Sequence, residues 1–293
     1  MANEPTQLPA PTDPTPRWTP LELELPSGER TMVRDDGYSD RIRCDHPNVS
    51  DGEALGKAMI EAAKTHQRGR VMILANASLR SGLERAGLTY EATMPGFYCG
   101  KDDCAVLGHA IDPVRATSSD AEAVAYVDKL VQDKPPAKPR PRPTTVRAKP
   151  EHAADLAELI AATFEHYPTP SGVPDYIEKN IREGVPFRFV EKDGRMVACA
   201  SADLVREAKT AELTDCSTRP DQRGGGFMQA ILDDLMQDMR DMGYPTAFTL
   251  ARASIPGVNL AFLRLGFEFN GRMIRSCRIG SGMEDMNVWS RRL

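Results

Sequence analysis

The segment richest in chemistry is Ala211-Glu-Leu-Thr-Asp-Cys-Ser-Thr-Arg-Pro-Asp-Gln-Arg-Gly-Gly-Gly-Phe-Met228. Its first eight residues read as a strand. Gly224, Gly225 and Gly226 then remove side chains just where a helix begins, with Phe227, Ile231, Leu235 and Met239 spaced for one buried stripe. Such a junction leaves several amide N–H groups free at the positive end of the helix dipole, which is a cradle for phosphate. Arg223 adds a formal charge beside it. The loop does not end in Gly-Lys-Ser/Thr, which disfavours a nucleoside triphosphate site. A dinucleotide fingerprint fails as well, because its third glycine falls on Gln229. From the glycines alone, a plain flexible turn is the alternative.

The flanking elements must hold this loop in place. Before it come helix patterns over 150–166 and 173–183, then a hairpin of 187–192 and 195–202 around Asp193-Gly194. After it come a helix over 225–242, a strand over 246–251, a short helix over 258–265 and closing strands over 267–279 and 286–290. The N-terminal region holds strands over 30–33 and 40–44, a helix over 51–66, a strand over 71–75 and a helix over 79–86. Ala86-Gly-Leu-Thr-Tyr-Glu-Ala-Thr-Met94 lines up with Leu265-Gly-Phe-Glu-Phe-Asn-Gly-Arg-Met273, so the chain reads as an internal repeat. Chance similarity between two helix–glycine–strand turns is the other reading.

Composition bounds the rest. The chain has 293 residues and a net charge of −5, and this mild acidity argues against a dedicated nucleic-acid binder. No apolar run approaches the ~20 residues that span a bilayer, and no signal peptide opens the chain, so a cytoplasmic protein is expected. The six cysteines form no Cys-x-x-Cys pair and point to reduced thiols without a metal site. Residues 1–17 carry five of the 23 prolines and read as a disordered tail. Residues 133–146, with Lys134-Pro-Pro-Ala-Lys-Pro-Arg-Pro-Arg-Pro143, read as a basic extended linker. The expected division is therefore a tail (1–17), an N-terminal domain (18–132), the linker (133–146) and a C-terminal domain (147–293).

Arg223-Gly-Gly-Gly226, after a strand and before an amphipathic helix, resembles the pyrophosphate-binding motif of the GNAT family of N-acetyltransferases. Met228 stands where that motif usually ends in Gly or Ala. The resemblance covers about residues 147–293 and includes the order of elements. The segments 211–218, 251–259 and 284–289, with Phe164-Glu-His-Tyr-Pro168, look more narrowly like beta-lysine N6-acetyltransferases. It implies an α/β (α+β) fold with a central mixed, mostly antiparallel sheet flanked by helices, preceded by a degenerate copy of the same fold. The implied reaction moves acetyl from acetyl-CoA to the side-chain amine of beta-lysine, giving a compatible solute. Other readings are another small amine, a protein lysine, or a weakly catalytic CoA-binding regulatory module. The expected partner is a small-molecule amine, with no nucleic acid and no membrane; a homodimer is a further reading.

The same resemblance assigns Cys216, Ser217, Thr218, Arg223, Gly224, Gly225, Gly226, Phe227, Met228 and Asn259 to acetyl-CoA. For Asn259 a helix cap is the competing role. An alkyl ammonium, with a pKa near ~10.4, must lose a proton before it attacks a thioester. Glu212 holds the family's general-base position. Tyrosine often protonates the departing thiolate, but Phe262 stands there, leaving the acid unassigned. The backbone N–H of Cys216 is placed to polarise the thioester carbonyl. Alternation puts Asp215 on the face opposite Glu212, where it either pairs with a substrate ammonium or holds the loop. Arg252 is a candidate clamp for a substrate carboxylate, and Glu165 and Tyr167 are candidates for the acceptor pocket.

Overall fold

Two stretches of the chain fold to one plan in the computed structural model, which describes residues 10–134, 141–280 and 282–293. The first runs β1 (Thr19–Glu24), β2 (Arg30–Asp36), β3 (Arg41–Asp45), α1 (Gly52–Thr65), β4 (Arg70–Asn76), α2 (Arg80–Arg85), β5 (Thr89–Tyr98), β6 (Asp102–Ala110) and α3 (Ala121–Asp133). The second runs β7 (Val146–Arg147), α4 (Ala153–Thr163), α5 (Pro174–Arg182), β8 (Phe187–Lys192), β9 (Arg195–Val205), β10 (Thr210–Thr218), α6 (Phe227–Asp241), β11 (Thr246–Arg252), α7 (Pro256–Arg264), β12 (Glu268–Ile279) and β13 (Gly282–Arg292).

The repeat is exact in topology. All strands share one sheet, in the order β1-β2-β3-β4-β6-β5-β12-β13-β11-β10-β9-β8-β7. Read inward from either end, after the extra β7, the two halves match. The one parallel pair in each half, β3 with β4 and β10 with β11, brackets a helix. β5 breaks register between Tyr90 and Ala92 and between Met94 and Tyr98; β12 breaks between Phe269 and Gly271 and between Met273 and Cys277. These are the same places in the aligned repeat. The halves meet where Ala92 pairs with Gly271, themselves equivalent residues, so a pseudo-two-fold axis passes between them.

This junction bends the sheet back on itself. β5 and β11 are three steps apart, yet Phe97 and Phe248 stack at 5.3 Å. The Tyr38 hydroxyl accepts the Tyr167 amide proton at 3.0 Å, joining the ends of β2 and α4. One core cluster draws Met72, Met94 and Val106 from the first half and Phe164, Phe187 and Met273 from the second. Buried arginines tie the seam. Arg41 pairs with Asp36 at 2.7 Å and donates to the Ser276 carbonyl at 2.5 Å; Arg115 donates to the Arg275 carbonyl at 2.7 Å.

Three expectations change. Residues 10–17 are anchored at two points rather than free: Pro11 and Arg17 are buried, and Arg17 donates to the Ala10 carbonyl at 2.7 Å and lies over the Tyr38 ring. Residues 1–9 lie outside the described residues. The N-terminal half also has β1, β6 and α3, whose short or mixed patterns were not read from the sequence. Of the linker, 135–140 lie outside the described residues, while Arg142 binds Asp233 at 2.7 Å and Asp234 at 2.6 Å on α6. No helix among the described residues is long and apolar enough to cross a membrane.

Gly271 has φ of +141°, and a side chain there would meet the Glu91 carbonyl and Ala92. A Gly271→Ala substitution is expected to cost ~2 kcal/mol or more, the scale of a residue forced into disallowed backbone. In a chain of this size that lowers the melting temperature by about 4 °C or more, which a thermal scan measures.

Candidate active site

β10 and β11 pair only over Thr210–Glu212 and Thr246–Phe248, and then diverge. The cause is local. The register of β10 against β9 slips between Thr214 and Ser217, and Asp215 takes φ of +53°. A bulge bends and twists its strand, so the ends of β10 and β11 splay into a V. Beyond it the chain makes a short turn over 220–222 and enters α6.

Gly224 and Gly226 have φ of +82° and +80°, a conformation natural only to glycine. Gly226 is the N-cap of α6 and no side chain caps the helix, so its first N–H groups point free. The opposite holds in the other half. There Asp51 caps α1, its carboxylate accepting from the Glu53 and Ala54 amides at 2.9 and 3.0 Å. A built-in carboxylate fills at α1 the place that stays open at α6.

A groove of ≈1320 Å³ runs from this loop between α6 and α7 to the V. Cys216, Thr218, Arg223, Gly224, Gly225, Gly226, Phe227 and Met228 line it, as do Tyr167, Asp215 and Arg252. Ser217 alternates away and is buried on the other side of β10. Asn259 is wholly buried. Its amide donates to the carbonyls of Arg252 and Ile255 and accepts from Asn287 and Trp289, each at 2.8–2.9 Å. Its side chain therefore holds α7 against β13, outside the groove. Glu165 is exposed and absent from the lining, because Phe164 and Tyr167 take the inward positions. Phe262 is buried against Phe267 at 5.0 Å.

Asp215 departs from simple alternation. The bulge turns its carboxylate toward β9, where Ser201 donates to it at 2.6 Å. Ser201 and Asp203 alternate onto one face of β9, and Asp203 directly opposes Glu212. Glu212, Asp203 and Asp215 thus share one face. The Tyr167 hydroxyl accepts the Asp215 amide proton at 3.1 Å, which stabilises the bulge.

Burial, with the Asp45 and Asp215 carboxyls beside it, pushes Glu212 up to about 7, against the pull of Arg43 and the Leu250 amide. Burial near Asp215 and Glu212 holds Asp203 well above the usual carboxylate range. Burial and the same neighbours raise the Cys216 thiol far above its ordinary value, which makes it a poor nucleophile. The sequence reading missed Asp203, Arg43 and Asp45. Carrying the repeat alignment back through β3 would have found the last two.

Residues 153–267 match the acetyltransferase (GNAT) family. The beta-lysine N(6)-acetyltransferase of Methanosarcina mazei is 31% identical over 265 residues, covering 82% of this chain and 97% of that protein. The chain belongs to the GNAT family. The beta-lysine N(6)-acetyltransferase of Methanococcus maripaludis is 26% identical, covering 88% of this chain and 95% of its own. The N-acetyltransferase YodP of Bacillus subtilis is 28% identical, over 91% and 98%. This GNAT protein is an acyltransferase that uses acetyl-CoA, and its α6 loop and groove suit a pyrophosphate and an extended chain.

Two substitutions probe the site. Gly226→Val places a β-branched residue at positive φ on the open helix end, and is expected to raise the KM for acetyl-CoA at least ~10-fold. Glu212→Gln tests the buried carboxyl through stability. Its folded pKa near 7 lies above the unfolded ~4.3, so the folded state keeps the proton longer and stability falls as pH rises between those values. Glu212→Gln is therefore expected to melt higher than the parent at pH 8 and level with it at pH 4.

Proposed function

We propose that this enzyme acetylates the N6 amine of beta-lysine, with Glu212 as general base. The supporting observation is a carboxyl with a pKa near 7, without a hydrogen-bonded side-chain partner among the described residues, where β10 and β11 part. A base poised near the working pH combines a good unprotonated fraction with useful basicity. The curated relatives named for beta-lysine supply the substrate.

The acetyl end of acetyl-CoA lies in the V, with the pantetheine along the groove. The acceptor ammonium approaches from the side of Asp203 and Asp215. Glu212 takes its proton, and the neutral amine attacks the thioester carbonyl. The amide N–H of Cys216 stabilises the negative charge on the carbonyl oxygen. The C–N bond forms, the C–S bond breaks, and the second proton shed by the amine nitrogen passes to the CoA sulfur, which leaves as a thiolate and ends as the thiol. A thiol pKa near ~8.5 makes this a tolerable leaving group. Tyr167 lines the groove and is the candidate proton donor to that sulfur. The product is a zwitterion of no net charge, as suits a solute held at high concentration in the cytoplasm.

The N-terminal half contributes a wall of the acceptor pocket, and with Asp51 filling the end of α1 it does not bind acetyl-CoA. Release of CoA thiol from acetyl-CoA tests the reading, with beta-lysine, alpha-lysine, spermidine and a lysine peptide as acceptors. Turnover is expected to be fastest with beta-lysine. Its kcat/KM is expected to rise through an acidic limb near pH 7 and level off above it, since protonated Glu212 cannot accept the proton. Glu212→Gln is expected to lose ~100-fold in kcat and that limb with it. Wild-type rates in this variant would remove Glu212 from the mechanism.

A further inference from the structure

Arg43 stands at the position in the first half that Glu212 holds in the second. In β3 against β4, Arg43 is the third paired residue, opposite Met72; in β10 against β11, Glu212 is the third, opposite Phe248. On a flat sheet the seven steps from β3 to β10 would separate them by about 34 Å, at ~4.8 Å a strand. The pseudo-two-fold fold-back instead brings the Arg43 guanidinium within the field of Glu212, each among the foremost charges acting on the other.

Three charged ends converge there without a side-chain hydrogen-bonding partner among the described residues. Arg43 gives its Nε proton to Asp45, 2.8 and 2.9 Å from the two carboxylate oxygens, while Nη1 and Nη2 make no hydrogen bond. Arg34 also reaches Asp45, at 3.4 Å. Asp203 and Glu212 accept no side-chain hydrogen bond, although both are half-buried. Charges that have lost part of their water and gained no partner are costly, and a ligand that pairs with them recovers that cost. The open end of the Arg43 fork fits a carboxylate in two-point contact. Asp45 and Glu212 stand beside the guanidiniums of Arg34 and Arg43, and Asp203 and Asp215 stand beside Glu212, so carboxyls outnumber guanidiniums there by four to two. That balance suits an acceptor with one carboxylate and two ammoniums.

We propose that Arg43 binds the carboxylate of the acceptor and Asp203 its second ammonium, so that the N-terminal half makes the enzyme selective for diamino acids over plain amines. This rests on the reading of the site as an amine acetyltransferase with Glu212 as base. Asp45 is a positioning residue that holds the Arg43 fork.

The test compares kcat/KM for beta-lysine with that for 1,4-diaminopentane, which keeps both amines at the same spacing and lacks the carboxylate. Wild type is expected to favour beta-lysine by about 10- to 100-fold, the range of one charge-assisted pair. Arg43→Gln is expected to bring the ratio within about 3-fold, with the KM for acetyl-CoA unchanged, and Arg43→Lys to restore part of it. Asp203→Asn is expected to weaken both acceptors together. A second measurement needs no variant: 3-aminobutanoate, which keeps the carboxylate and nearby amine, is expected to compete with beta-lysine at least ~10-fold better than butylamine. Arg43→Gln that folds and keeps the wild-type ratio, or equal inhibition by the two amines, overturns this inference alone. Wild type that acetylates the peptide and ignores beta-lysine overturns the assignment of beta-lysine, on which the inference also rests.

Discussion

Everything in this molecule hangs on one edge-to-edge contact, the pairing of Ala92 with Gly271. Two copies of one α/β plan join there through equivalent residues, and their sheets run on as one. The contact needs a glycine, because only a backbone without Cβ fits against the Glu91 carbonyl at that φ. Once the edges meet, the bend of the sheet faces one copy toward the other. Buried arginines then fasten the seam, each held by a carboxylate of its own half and donating to a carbonyl across it. A buried arginine left without such partners would destabilise the junction, so Arg41 and Arg115 make the docking specific as well as tight.

Duplication has led the two copies to different ends. The strand, turn and helix are the same, yet three glycines open one helix and an aspartate closes the other. A bulge splays β10 from β11, while β3 and β4 stay paired along five residues. Glu212, the proposed base, sits in the copy with the open helix. Its counterpart in the other copy is an arginine, whose charge acts back on that base. The chemistry belongs to the second half and the wall opposite it to the first.

Much of this was legible in the sequence. The glycine loop, the helix behind it and the strand before it are local patterns, and local patterns survive folding. The repeat was legible from nine aligned residues, because the turn and its glycine recur. The position of Asp215 was not. Alternation placed it opposite Glu212, but a bulge breaks alternation and Asp adopts positive φ without a distinctive neighbour. Asn259 was read as a ligand or a cap; it is a buried polar bracket, which only the surrounding Asn287 and Trp289 reveal. Glu165 and Tyr167 are two residues apart, and which one faced inward was set by the break of α4 at Phe164. Arg43 lies far from Glu212 in sequence, so only the fold-back could bring them together.

The cofactor groove is lined by described residues from Pro141 onward, and none comes from the first half. Donor recognition is thus housed in the second copy, while the proposed clamp for the acceptor carboxylate, Arg43, comes from the first. Apart from the fields that Arg43 and Asp45 cast on Glu212, a change in β2 or β3 leaves the lining of the groove untouched. Such an arrangement is modular in the evolutionary sense. The acceptor wall is free to drift toward new amines while selection holds the acetyl machinery fixed, a freedom that a single-copy enzyme, with both substrates on one scaffold, does not have.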